Sequence, residues 1–142
     1  MINFFKKKDT DIIDSNESFL KIAALLIHAA KIDEIYTVEE EKIIIKTLLD
    51  LGAKSTNIDK LISDATLIEE NANQILGFTS EIKSIPESDK IKIIESLWKI
   101  IYSNNKIDVY EANLMRRLAG LLYVDAKTMG NLKEKIKKEL LK

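Results

Sequence analysis

The sequence predicts an all-α fold, a compact bundle of about seven helices. Three observations point there. The 142 residues contain only one proline and four glycines, so little interrupts helical backbone. Apolar residues recur at spacings of three and four, which is the helical period. A helix–elbow–helix pattern also occurs twice, at an offset of 71 residues. Leu26 then falls on Leu97, Ile27 on Trp98, Thr37 on Asp108, Glu40 on Glu111, Ile44 on Met115 and Leu51 on Leu122. A long period used only twice suggests internal duplication within one domain, since a solenoid needs three or more units.

Residues 1–15 read as an N-terminal tail, and residues 16–142 as the helical domain. In the tail Ile2, Phe4 and Phe5 precede Lys6, Lys7 and Lys8. A secretory leader has the opposite order and a longer apolar stretch. The expectation is a frayed terminus whose aromatics tuck against the core. The alternative is a membrane-surface adaptor, with Phe inserted and Lys against anionic lipid, a marginal contact at most.

The first helix should run from about Asn16 to Lys31, with Ile22, Leu25, Leu26, Ala29 and Ala30 on its apolar face. The elbow KIDEIYT follows. Thr37 and Glu40 form a T-x-x-E capping box, so the second helix starts at Thr37. Ile44, Leu48 and Leu51 line its inner face, and Gly52 is its stop. After a turn over residues 53–57, Asn57 or a neighbour should cap a short third helix carrying Ile58, Leu61 and Ile62. A fourth is expected from about Leu67 to Ser84, with Ile68, Ala72, Ile75, Phe78 and Ile82 in phase. Pro86 ends that region.

The fifth helix opens near Glu87 to Asp89, and Ile91, Ile94, Leu97, Trp98 and Ile101 make its stripe. The elbow YSNNKID leads to the sixth at Asp108, where Asp108 and Glu111 form the second capping pair. Leu114, Met115, Leu118, Leu121 and Leu122 should face inward. Asp125 caps the seventh helix, with Leu132, Ile136 and Leu140 on one side. Lys127, Lys133, Lys135, Lys137 and Lys138 make its other side a solvated face that complements the helix dipole, with a basic docking surface as the alternative.

Composition excludes several functions. The net charge is −1, so no overall basic field attracts nucleic acid. The chain has no cysteine, which removes disulfides, thiolate nucleophiles and soft-metal sites. No apolar run approaches the roughly 18 residues of a membrane span, and a reducing, cytoplasmic compartment is the expectation. There is no phosphate-binding glycine loop. His28 is the only histidine, and without a nucleophile motif beside it a structural role is expected. Trp98 sits at core spacing and is expected to be packing.

The elbows hold the one constellation with chemical promise. Asp33 and Glu34 end one helix, and Glu40 begins the next. The second elbow offers Asp108 and Glu111, diluted by Asn104 and Asn105. Oxygen ligands converging from a turn suit Ca²⁺ or Mg²⁺ better than Zn²⁺. The spacing is not that of an EF-hand, and helix capping explains the same residues without a metal. If a cation binds, the first elbow is the expected place, because it has more carboxylates. Lys31 or another lysine neutralising the cluster is the opposing expectation.

At these elbows the chain resembles the tellurite-resistance protein B-like (TerB-like) family of bacteria, marked by A-x-A-D-G-x-[IL]-[SD]-x-x-E. The pattern stands here as AAKIDEIYTVEE and YSNNKIDVYE. The likeness continues through GFTSEIKS, ESLWKIIYS and NLMRRLAGLL and covers about Phe19 to Val124. It implies an all-helical bundle of about seven helices whose acidic elbows are suspected of binding metal, in proteins tied to tellurite and stress response and without established enzymatic activity. Position by position, the family's Asp matches Asp33 and its distal Glu matches Glu40, and in the second copy Asp108 and Glu111 match. Asn104 replaces the Asp of the second copy, and Glu34 and Asn105 stand where the family has glycine.

The functional expectation is a non-enzymatic accessory or sensor domain that binds a protein partner and a divalent cation. The rival is a small metal-dependent hydrolase using Asp33, Glu40 and His28.

Overall fold

The computed structural model describes residues 16–32, 36–72, 76–80, 82–103 and 109–140, without the side chains of Asn16, Leu76 and residues 109–111. Seven α-helices and no strand lie among them: α1 Asn16–Ala30, α2 Val38–Asp50, α3 Ile58–Glu70, α4 Leu76–Thr79, α5 Glu87–Tyr102, α6 Val109–Leu121 and α7 Ala126–Leu140. Tight 3₁₀ turns at Ser55–Asn57 and Ile82–Ser84 lead into α3 and towards α5. The chain is an all-α bundle, as its periodicity requires. Among the described residues no helix is long and apolar enough to cross a membrane.

Helix α1 is the axis of the bundle. It packs against α2, α3, α4 and α5. Residues 22–27 are all buried, so its apolar surface runs round the cylinder instead of along one stripe. A helix of that kind must be enclosed by its neighbours. Helix α5 is the second centre, packing against α1, α2 and α7. Its buried surface also exceeds the expected stripe. Ile93 and Ile100 are fully buried, and Ile91 is only partly so. Where α2 crosses α5, the buried hydroxyls of Thr47 and Ser96 hydrogen-bond at 2.8 Å, and two small side chains there allow close approach.

The stretch expected as a long fourth helix is different. Helix α3 runs on through Leu67 to Glu70, and only the single turn α4 forms later. Leu67 and Ile68 are exposed on α3. Asn71 ends that helix, its side-chain amide donating to the Leu67 carbonyl at 2.9 Å. This local bond competes with helix continuation, a habit of asparagine. Of the expected inner residues there, Phe78 and Ile82 are buried, while Ile75 lies outside the described residues. In α7, Met129 and Ile136 are buried but Leu140, at the last turn, is exposed. Lys127, Lys137 and Lys138 are solvated as expected, whereas Lys135 bonds Glu95 at 2.6 Å.

The two copies read from the sequence lie 71 residues apart. Displaced by that offset, α2 takes the bounds of α6, and α1 takes those of α5 to within one residue. Ile22, Leu26, Ile27, Ala29 and Ala30 are buried, and so are Ile93, Leu97, Trp98, Ile100 and Ile101. A third helix joins each pair: Ile58 and Ala65 of α3 are buried, as are Met129 and Ile136 of α7. Helix α3 packs on α1 as α7 packs on α5.

Candidate functional site

The first elbow enters α2 through the expected capping box. Thr37 is extended, with φ −93° and ψ 163°. Its hydroxyl accepts the Glu40 N–H at 3.1 Å, and its own N–H donates to Glu40 Oε1 at 2.8 Å. These bonds satisfy two groups that a helix N-terminus otherwise leaves unpaired. Glu40 is only 2% exposed, which is unusual for a carboxylate on a surface helix. It is buried because the end of α5 lies against it. The Ser103 hydroxyl, which donates to the Ile100 carbonyl at 2.7 Å, is 3.4 Å from Glu40 Oε2. Ser103 is the residue from which the second elbow departs. Tertiary packing therefore brings the start of α2 to the mouth of the other elbow.

Tyr36 precedes the cap. Its hydroxyl is buried without a hydrogen-bond partner among the described residues. Burial first, then the negative fields of Glu41 and Glu40, push its pKa up to about 12. The phenol is therefore a neutral donor at physiological pH, beside a negative cluster.

The other proposed ligands are less accessible to description. Asp33, Glu34 and Asp108 lie outside the described residues, as does the side chain of Glu111; its backbone is in the first turn of α6. Among the described residues no three His, Cys, Asp or Glu side chains group as a metal site would require. The oxygens that are described (the Glu40 carboxylate, the Ser103 hydroxyl and the Tyr36 phenol) are chemically suited to a hard cation.

His28 is engaged elsewhere. Its Nδ1 is 3.2 Å from Glu69 Oε2, and Lys31 Nζ donates to Glu69 Oε1 at 2.6 Å. Glu69 comes from the last turn of α3, so this triad ties the C-terminal end of α1 to that of α3. Lys31 sits just past the C-terminus of α1, where the dipole favours a cation. Lys31, expected as a candidate to neutralise the acidic elbow, has Glu69 as its described partner. Sequence reasoning did not single out Glu69: its partners are 38 and 41 residues away, beyond any local pattern.

Trp98 is 6% exposed, as core spacing requires. Its ring lies 6.2 Å from that of Tyr102, with Lys133 Nζ at 5.7 Å from its centroid. Its indole N–H is buried without a hydrogen-bond partner among the described residues.

Searches of curated proteins and of solved structures returned no match. The family model described as "Tellurite resistance protein TerB" matches residues 19–134, a span that runs from α1 into α7 and includes both elbows. That match covers most of the chain and agrees with the helical bundle and the elbow motifs: the protein belongs to the TerB family.

Proposed function

We propose that this chain is a tellurite-resistance-related, non-catalytic accessory or sensor domain that binds a divalent cation at the first elbow and a protein partner. Family membership supports the non-catalytic part. The observation that carries the cation reading is Glu40: a carboxylate 2% exposed, held where α2 begins and set against Ser103 at the end of α5. Asp33 and Glu34 would complete the first site, and Asp108 and Glu111 would supply a weaker one in the second elbow. Ca²⁺ or Mg²⁺ fits this all-oxygen set.

Calorimetric titration of metal-free protein with Ca²⁺, Mg²⁺ and Mn²⁺ tests the reading. Weak binding is expected, because Glu40 is already committed to the cap. Asp33→Asn should reduce it more than Asp108→Asn. No heat and no thermal shift at millimolar cation would remove the cation from the proposal. Binding unchanged in Asp33→Asn combined with Glu40→Gln would exclude the first elbow. The hydrolase alternative gains nothing from His28, which faces Glu69. The membrane-adaptor alternative rests on Phe4, Phe5 and Lys6 to Lys8, outside the described residues; liposome co-sedimentation with and without residues 1–8 tests it.

A further inference from the structure

We draw no further inference here: the strongest candidate, the buried Glu40 carboxylate between the first turn of α2 and Ser103 at the end of α5, belongs to the site already described, and no second observation there points to a ligand.

Discussion

Helices α2 and α6 end in the same hydrogen-bonded turn with opposite residue choices. After α2, Gly52 has φ +115°. Its N–H reaches the Leu49 carbonyl at 3.1 Å, and the Ala53 N–H reaches that of Leu48 at 2.9 Å. After α6, Tyr123 has φ +59°, with the matching bonds Tyr123 to Gly120 at 3.3 Å and Val124 to Ala119 at 2.9 Å. Both are Schellman caps. Glycine enters this conformation without steric penalty, whereas an L-residue loses about 1–2 kcal/mol there. The pair of bonds to the last carbonyls thus dictates the turn, and the residue adapts. The surroundings differ too. The Phe19 ring is 3.8 Å from where a Gly52 Cβ would sit. The position corresponding to Phe19 is Lys90, 5% exposed, whose ammonium donates to the Lys83 carbonyl at 2.9 Å. Tyr123 itself is 70% exposed, with Lys83 Nζ 5.5 Å from its ring centroid.

Core substitutions test the two centres most severely. Trp98→Ala in α5 should destabilise by about 3–5 kcal/mol, and Leu26→Ala in α1 by about 2–5 kcal/mol, by transfer loss plus cavity. Urea denaturation measures both. A neutral Trp98→Ala would make that residue a surface feature and break the match between the two stripes.

The ties between first and third helices should differ in strength. Glu69 is 10% exposed in its side chain and holds both His28 and Lys31. Glu69→Gln should cost about 1–2 kcal/mol, the lower part of the range for charged hydrogen bonds, because both partners are about a third exposed. Glu95→Gln in α5 breaks its described bond to Lys135 of α7, which is 55% exposed, and should cost less. Equal losses in the two variants would contradict the ranking.

The caps themselves should respond with opposite signs. Gly52→Ala forces a Cβ into a positive-φ position and should destabilise by about 1 kcal/mol or more. Tyr123→Gly relieves strain and should stabilise by up to about 1 kcal/mol, reduced by the lost lysine–ring contact. Thermal melts of the two variants moving in the same direction would show that the caps are not equivalent.

The smallest effect concerns pH. Asp125 accepts the Thr128 N–H at 2.7 Å. That backbone bond, then a side-chain bond from Thr128, holds its carboxyl below the usual range. A folded value below the unfolded one means the contribution to stability is present above the unfolded pKa and is lost as pH falls through the folded one. Asp125→Asn should therefore flatten the acid limb of the stability profile slightly and leave neutral-pH dependence unchanged. An unchanged acid limb would show that the cap is already lost in the folded protein.

Residues a few positions apart carried most of what the sequence determined. Thr37 and Glu40 declared the start of α2, Gly52 its end and Asp125 the cap of α7, because capping bonds span three or four residues. The apolar period established the helices. Tertiary structure decided the rest. Nothing near Glu69 in the chain indicates His28 or Lys31, and nothing near Glu40 indicates Ser103, 63 residues away. The break after α3 was hidden because an apolar period persisted through Ile68 and Phe78, while the Asn71 side chain's bond to the Leu67 carbonyl ended the helix. Whether α1 was half-buried or enclosed depended on how many neighbours surround it. A single helix's pattern records which faces can be buried; only the packed chain determines which are.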